Sequence, residues 1–311
     1  MKTILVLGGF GFIATNILRY IDRNAFHEYE AVIFDKFPHH IKGVACQCVK
    51  RVYSGDFADE LIIEKIFREN KIDIVLHCLS NTVPATSQNA RFDVESNLIP
   101  TLNLLAIMER HDVKDIVYLS SGGAIYGDAL QKIHNEEEAV YPKSSYGIVK
   151  LAIEKYLLSF SELYGFRTLI LRLSNPFGPY HYNDRQGFIN IAIRRALKGL
   201  PIEIWGSGEG KKDYIYIDDV SRIIHGFLDS GIETGVYNVA SGIVLSVNQI
   251  ANHVTAEFQD AKIKHIDASR IDVQSFQLDI AKLQNRFKDF VFTDFSTAFN
   301  KTVEWQENNL D

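Results

Sequence analysis

Short runs of apolar, often β-branched residues alternate along the chain with longer segments whose apolar residues recur every three or four positions. The short runs are TILVL (3–7), EAVIFD (30–35), CVKRVYSGD (48–56), IDIVLHC (72–78), DIVYLSS (115–121) and RTLILRLSN (167–175). The segments between them have the period of amphipathic helices. Strands that alternate with helices, and are apolar throughout, are typical of a parallel sheet covered on both faces. The pattern predicts an α/β protein with a doubly wound parallel sheet.

The pattern of apolar and polar residues changes after Ser174. A turn-rich segment, NPFGPYHYNDRQG, precedes helical patterns at about 188–199, 218–230, 246–258 and 296–308, with short strands such as VYNVAS between them. We expect a smaller, mixed α/β C-terminal lobe. The predicted first domain covers 1–174 and about 213–240, and the second covers about 175–212 and 241–311.

Charge and composition narrow the function class. A net charge of −6 and the lack of a dense Lys/Arg run argue against binding to nucleic acid. No run of about 18 apolar residues occurs, so no membrane span is expected. Three cysteines, an odd number, favour a reducing compartment, and we expect a cytoplasmic protein. Cys46 and Cys48 lack a second Cys/His pair at zinc spacing, so the sequence predicts no metal site.

A glycine-rich turn follows the first predicted strand and opens the first helix. Gly8, Gly9 and Gly11 allow a tight turn and let backbone N–H groups approach a pyrophosphate at the helix N-terminus. Asp35 ends the second strand, 27 positions after Gly8, where a carboxylate binds ribose hydroxyls and repels a 2′-phosphate. This arrangement predicts a Rossmann-type dinucleotide site that prefers NAD to NADP, although Lys36 is adjacent to the carboxylate.

Tyr146 and Lys150 lie one turn apart in SSYGIVK, on the apolar stripe of a predicted helix that also carries Val149, Ile153, Tyr156, Leu157 and Phe160. A phenol beside an ammonium and a cationic nicotinamide is a candidate acid/base. Lowering its pKa to about 7 requires roughly 4 kcal/mol of differential stabilisation. Ser120 and Ser121 end a strand upstream, where their hydroxyls would meet a ligand at the carboxyl edge of the sheet.

The segments GGFGFIA, SSGGAIYG and YGIVK, in this order and spacing, resemble the extended short-chain dehydrogenase/reductase family of nucleotide-sugar epimerases and dehydratases. NPFGPYH and KDYIYIDDV resemble segments of that family's substrate lobe, so the resemblance covers nearly the whole chain. It implies bound NAD, a nucleotide-diphosphate sugar as substrate, and a homodimer formed through helices of the Rossmann half.

The resemblance also implies roles for individual residues. Ser121, Tyr146 and Lys150 are the expected catalytic residues. The residues expected to bind NAD are Gly8, Gly11, Phe12, Ile13, Asp35, Lys36, Asp56, Phe57, Asn97, Tyr146 and Lys150. The residues expected to bind the substrate are Ser120, Ser121, Asn175, Lys212 and Arg270. Asp56 either reaches the adenine edge or serves as a turn or N-cap aspartate.

Some positions depart from the family pattern. Where several epimerases carry a hydroxyl residue four positions before the tyrosine of the YG pair, this chain has Gly122, so either Ser121 or Ser120 must supply the hydroxyl. Lys212 stands where many relatives have an arginine, and lysine supplies charge without the bidentate fork. Arg270 is one position out of register.

The residue set indicates the reaction. Dehydratases of the family use an Asp-Glu pair after the hydroxyl residue, whereas Gly122 and Gly123 cannot act as acid or base. Epimerisation at C4 needs one acid/base group and a retained NAD, so we expect a 4-epimerase acting on a nucleotide sugar, UDP being the family's commonest nucleotide. The alternatives are a nucleotide-sugar reductase, which would need exchangeable NADPH, and a non-catalytic dinucleotide-sensing protein.

Overall fold

A computed structural model describes residues 1–37, 46–82, 87, 89–127, 133–267 and 275–310. The chain forms two compact units. The first contains Met1–Ile125, Pro142–Arg172 and Ser221–Tyr237, and the second contains Tyr126–Tyr141, Leu173–Val220 and Asn238–Asp311. Over the described residues, no helix combines the length and the apolar character that crossing a membrane requires.

The first unit is built on a seven-stranded sheet with the strand order β11-β7-β5-β4-β1-β2-β3. The strands are β1 (Lys2–Leu7), β2 (Tyr29–Asp35), β3 (Val49–Ser54), β4 (Ile74–His77), β5 (Asp115–Ser121), β7 (Arg167–Leu173) and β11 (Gly235–Val239). The pairs β1–β2, β2–β3, β1–β4 and β4–β5 are all parallel. The six predicted strands are therefore confirmed, with ends that differ by one or two residues.

Helices cover this sheet. They are α1 (Phe12–Asn24), α2 (Glu60–Glu69), α3 (Ala90–Asp93), a π-helical turn (Val94–Leu98), α4 (Ile99–Arg110), α5 (Gly122–Ile125), α6 (Ser145–Tyr164) and α8 (Ile217–Ser230). One core cluster joins the apolar faces of α2, α4 and α6 to the strands, including Val75, Ile116, Leu104 and Leu157. Burial of both sheet faces explains why the inner strands are largely apolar, whereas the edge strand β3, VKRVYS, is mostly exposed.

The second unit contains a smaller mixed sheet with the order β12-β10-β14-β6, in which β8 also pairs with β10. Its strands are β6 (Ile133–His134), β8 (Asn175–Phe177), β10 (Lys211–Tyr216), β12 (Ile243–Ser246) and β14 (Ser275–Leu278), and β9 (Ile202–Trp205) pairs with β13 (Ile263–Ile266). Its helices are α7 (Phe188–Leu197), α9 (Val247–Glu257), α10 (Ala281–Arg286) and α11 (Phe295–Glu307). The smaller mixed lobe is confirmed.

The two largest differences from the predicted domain bounds are residues 126–141 and 213–220. Tyr126–Tyr141 belongs to the second unit because β6 pairs with β14 and the Tyr126 hydroxyl donates to Asn238 Oδ1 at 2.8 Å. Strand β10 also belongs there, since its neighbours are β8, β12 and β14. A two-residue strand such as β6 carries no periodicity that a sequence pattern could reveal.

Candidate active site

The turn between β1 and α1 is tightly built. Gly8 has a φ of +73°, and a Cβ there would lie 2.9 Å from the Cα of Leu79. A Cβ at Gly9 would lie 2.5 Å from Cγ2 of Ile33, so the turn runs close against the sheet. Gly11 is the exposed N-cap of α1, which starts at Phe12 and Ile13. Because glycine has no side chain to cap the helix, the first N–H groups of α1 remain accessible. An open, uncapped helix N-terminus of this kind fits a pyrophosphate.

The Asp35 carboxylate is held in place by the backbone. Its Oδ2 accepts the N–H of Phe10 at 3.0 Å, and its Oδ1 accepts the N–H of Phe37 at 3.1 Å. Each carboxylate oxygen can accept a second hydrogen bond, so both can still receive a ribose hydroxyl. The glycine turn and the acidic residue at the end of β2 are therefore brought together as the sequence predicts.

Lys36 and Asp56 form an ion pair, with 2.8 Å between Nζ and Oδ2. Asp56 also accepts the N–H of Ala58, and Lys36 lowers the pKa of the Asp56 carboxyl. The turn role anticipated for Asp56 is thus present. The neighbouring Phe57 is buried and packs edge-on against His77. Because Asp56 balances the charge of Lys36, the cation next to Asp35 is less available to a 2′-phosphate.

Helix α6 is fixed at its start, where Tyr146 lies. Ser144 is the N-cap and accepts the N–H of Gly147, while the N–H of Tyr146 donates to Ser87 Oγ at 2.9 Å. A Cβ on Gly147 would lie 2.3 Å from the carbonyl oxygen of Ala124, so the helix passes very close to α5. This close approach brings the helix against the segment that follows β5.

The apolar stripe of α6 differs from the predicted one at two residues. Val149, Ile153 and Leu157 are buried as expected, but Tyr156 is 45% exposed. Lys150, predicted at the edge of the stripe, is only 6% exposed. Its Nζ donates to the Leu119 carbonyl at 2.8 Å and lies 4.7 Å from the centre of the Tyr118 ring. Burial lowers the pKa of Lys150 to about 8.

Tyr146 lies near both Ser121 and Lys150, the two residues expected beside it. The Ser121 side chain lies near enough to act on the Tyr146 hydroxyl, and the Tyr146 ring centre lies 5.8 Å from Lys150 Nζ. Burial raises the pKa of Tyr146 to about 12, and Ser121 offsets only part of that rise. A phenol near pKa 7 is expected only with the cationic nicotinamide also present, and this stays a prediction.

Of the two candidate serines, Ser121 is the one near enough to Tyr146 to lower its pKa. Ser120 is buried, and no described residue hydrogen-bonds its hydroxyl. Successive residues of a strand point to opposite faces, so only one of the two can face α6. The geometry favours Ser121.

A small cavity opens beside Tyr146 and Lys150. Its lining residues are His77, Leu79, Ser80, Thr82, Asn97, Tyr118, Tyr146, Val149, Lys150 and Ile153. These residues come from the ends of β4 and β5, the π-helical turn and α6. The catalytic candidates therefore face a space that lies at the carboxyl edge of the parallel sheet, where ligands of such sheets bind.

The sequence did not single out His77 as a cavity residue. Thr101 Oγ1 donates to the Asn97 carbonyl and accepts from His77 Nε2 at 3.0 Å, which leaves His77 Nδ1 as an acceptor. Burial, with the Lys150 charge, lowers the pKa of His77 to about 3, so the imidazole is neutral. A histidine at a strand end is a weak signal without the structure, since core histidines are common there.

Asn97 lies on the π-helical turn and is buried. Its Oδ1 accepts the N–H of Asn81 at 2.8 Å, and its Nδ2 donates to the Asp93 carbonyl at 3.1 Å. The side chain therefore positions the segment after β4 while it also lines the cavity. Its direct role toward NAD stays a prediction.

The remaining predicted site residues lie in the second unit. Asn175 begins β8, and its Nδ2 donates to the Asp213 carbonyl at 2.8 Å. Lys212 lies on β10 opposite Leu245, and is partly exposed. Arg270 lies outside the described residues. Substrate binding by these three residues stays a prediction.

Comparison with known proteins places this site in a family. The profile of the NAD dependent epimerase/dehydratase family matches residues 4–240. The chain belongs to this family. The extended short-chain dehydrogenase/reductase resemblance is thereby confirmed, and the epimerase/dehydratase family is NAD-dependent, in agreement with the open helix end and Asp35.

Individual members are similar over their full length. A Methanocaldococcus jannaschii protein assigned as a UDP-glucose 4-epimerase is 29% identical over 311 residues, covering 98% of this chain and 99% of that one. The Thermotoga maritima UDP-glucose 4-epimerase, solved with UDP-glucose, has a TM-score of 0.89 and 28% identity, with 100% of both chains covered. The Thermus thermophilus UDP-glucose 4-epimerase, solved with NAD, has a TM-score of 0.90 and 26% identity, with 98% and 99% covered.

Proposed function

We propose that this epimerase/dehydratase family member is a nucleotide-sugar 4-epimerase whose substrate is a UDP-hexose. The observation that carries the proposal is the set of ionisable groups around the cavity, namely Tyr146, Lys150 and the neutral His77. Tyr118 also lines the cavity, where burial raises its pKa, and none of the described lining residues is a carboxylic acid. A 4,6-dehydratase needs further acid/base groups, whereas inversion at C4 needs a single one.

NAD, when bound, would supply the acceptor and donor of the hydride for C4 of the sugar. Gly8, Gly11 and the first residues of α1 would hold its pyrophosphate, and Asp35 its adenosine ribose. In our proposal Tyr146 takes the proton from the C4 hydroxyl as the carbonyl forms, and gives it back when the alcohol re-forms.

Ser121 and Lys150 support that proton transfer in different ways. The Ser121 hydroxyl, which lies near enough to Tyr146 to lower its pKa, orients the same oxygen of the sugar. Lys150 is held by the Leu119 carbonyl and places its charge beside the phenol ring. Since burial alone leaves Tyr146 protonated at neutral pH, a further positive charge in the loaded site is required for it to act as a base.

UDP is favoured because the named relatives carry it in their own names or complexes. Asn175 and Lys212 are proposed to contact the nucleotide sugar. The lysine would face a diphosphate as a point charge.

The test incubates the full chain with a panel of UDP-sugars and detects the C4-inverted product. Denaturation of the purified protein should release NAD. Tyr146→Phe should abolish inversion, whereas Tyr164→Phe, at an exposed position on the same helix, should not. Release of NADPH with net sugar reduction, or a 4-keto-6-deoxy product, would contradict the proposal.

We further infer a homodimer that uses α6. Ile148 and Tyr156 on this helix, and Phe92 and Ile99 near the π-helical turn, are large apolar side chains with exposed fractions of 45% or more. Such side chains are typical of protein–protein contact when they lie together. Sedimentation equilibrium of the wild type and of Ile148→Glu should give a dimer and a monomer respectively; a monomeric wild type would contradict the inference.

A further inference from the structure

Two thiols and a carboxylate meet in the first unit, away from the residues assigned to catalysis. Asp22 lies on α1, and Cys46 and Cys48 lie just before β3. One ligand atom from each of the three residues lies within 4.8 Å of the other two. The sequence pattern could not find this group, because Asp22 and Cys46 are 24 positions apart and only the fold brings them together.

The two cysteines are buried, and a hydrogen bond orients the Asp22 carboxylate beside them. Cys48 is 0% exposed and Cys46 is 8% exposed. Asp22 Oδ1 accepts the N–H of Cys48 at 2.8 Å, which fixes the carboxylate beside the two sulfur atoms. The Cys48 thiol lies 3.6 Å from the Leu18 carbonyl and shares a hydrogen bond with the Cys46 thiol. The two thiols are therefore shielded from solvent, Asp22 is half-buried, and one ligand atom of each residue lies within 4.8 Å of the other two.

The donor set has the chemistry of a zinc site. Zinc prefers thiolate sulfur at about 2.3 Å and carboxylate oxygen at about 2.0–2.2 Å in a tetrahedron, which separates neighbouring ligands by about 3.8 Å or less. The observed spacing needs only a small contraction of side chains to reach that geometry. A Cys-x-Cys pair with one carboxylate fills three positions and leaves the fourth for water or another ligand.

We propose that Asp22, Cys46 and Cys48 bind one thiophilic divalent cation of the zinc type. Two metal–sulfur bonds and one metal–oxygen bond form, and the two thiols release two protons to solvent. Two thiolates and one carboxylate carry three negative charges, so the metal leaves one net negative charge. Arg19 and Arg23 lie near enough for their charges to act on Cys46, and they balance the remaining charge.

The expected role is structural. A metal there would join the C-terminal half of α1 to the start of β3. This contact would stabilise the first unit at a place that the proposed epimerase chemistry does not use. The sequence predicted no metal site because it could not show that Asp22, on α1, lies beside Cys46 and Cys48.

The experiment titrates the metal-free, reduced full chain with Co²⁺, because thiolate ligation gives cobalt a charge-transfer absorption band. We expect saturation at one Co²⁺ per chain, release of two protons per Co²⁺ near pH 7, and displacement of the band by Zn²⁺. Cys46→Ser should remove most of the band. Asp22→Asn, which can still accept the Cys48 N–H, should weaken Co²⁺ binding roughly tenfold or more, as the loss of one contact at a metal site typically does.

Cys78→Ser is the matched control, since Cys78 follows β4 and is not one of the three ligands. Its band should equal that of the wild type. The proposal is overturned if excess Co²⁺ produces no thiolate band in the folded wild type, if the band survives in Cys46→Ser, or if it requires Cys78. The proton count on the wild type gives an answer even if a cysteine variant does not fold.

Discussion

Lys150 in the first unit and Asp213 in the second are both buried ionisable side chains, and their surroundings give them different roles. Lys150 is 6% exposed, and burial lowers its pKa to about 8. Asp213 is 0% exposed, and burial raises its pKa to about 7. In both cases desolvation disfavours the charged form, so a pKa shift alone does not tell a catalytic group from a structural one.

The neighbours of the two groups differ. Lys150 lines a cavity and lies beside Tyr146. Asp213 lies on β10, and neither of its carboxylate oxygens accepts a hydrogen bond from a described residue. An adjacent acid/base candidate, and not burial, therefore marks Lys150 as the group expected to take part in chemistry. Replacing Lys150 should therefore affect turnover, and replacing Asp213 should affect stability.

The largest expected effect is on turnover in Lys150→Met. Loss of the ammonium removes the charge beside Tyr146, and the expected fall in kcat is on the order of 10²- to 10⁴-fold. Stability should change by no more than about 3 kcal/mol, the cost of leaving the Leu119 carbonyl unpaired. Steady-state epimerisation and denaturant unfolding measure the two quantities. Lys155→Met, at an exposed position of the same helix, is the control and should leave both unchanged.

An intermediate effect is expected on the stability of Asp213→Asn. The folded pKa of Asp213, about 7, lies above its ordinary value of 3.8, so the folded state binds more protons between these values. Stability of the wild type should therefore fall as pH rises from about 4 to 7, by up to about 4 kcal/mol. The asparagine of the variant cannot ionise, and urea unfolding at pH 5 and pH 8 should show a smaller loss of stability in the variant than in the wild type.

Two results would contradict the different roles assigned to Lys150 and Asp213. An Asp213→Asn variant that lost as much turnover as Lys150→Met would make Asp213 part of the chemistry. Equal pH dependence of stability in the wild type and the variant would mean that the buried carboxyl does not control it.

The smallest expected effect is on cofactor choice in Asp35→Asn. Its carboxylate is the proposed acceptor for ribose hydroxyls, and a charge-assisted hydrogen bond contributes about 1.5–3 kcal/mol. NAD affinity should fall roughly 10- to 100-fold, while NADP affinity should fall less because the repelling charge is gone. Calorimetric titration with each cofactor measures the ratio. An unchanged ratio of the two affinities would contradict the role of Asp35.

Much of this architecture could be predicted from the sequence. Six of the seven strands of the large sheet follow from apolar runs that alternate with helical patterns, and the glycine turn with Asp35 follows from spacing. Ser121, Tyr146 and Lys150 are within reach of one another, as the motifs indicate. These features depend on residues close together in the sequence, or on motifs that follow one another in the order typical of the family.

The rest depends on contacts that no pattern encodes. The Leu119 carbonyl that holds Lys150 is a backbone atom, and the neutrality of His77 comes from burial. The sequence shows the cation near Tyr146 but not the amount of lost hydration, which raises the pKa of Tyr146 in the chain alone. Asp22 reaches the Cys46–Cys48 pair only through the packing of α1 on the sheet.

The central claim is that Tyr146 is the acid/base group, protonated in the chain alone and ionisable once the site is loaded. Tyrosine labelled at Cζ reports ionisation by NMR, and comparison with Tyr146→Phe assigns the signal among the 14 tyrosines. The measurement is the pKa of Tyr146 without NAD and with saturating NAD⁺. We predict a pKa of about 12 without the cofactor and a value several units lower with it. A pKa that stays near 12 in the presence of NAD⁺ would contradict the account.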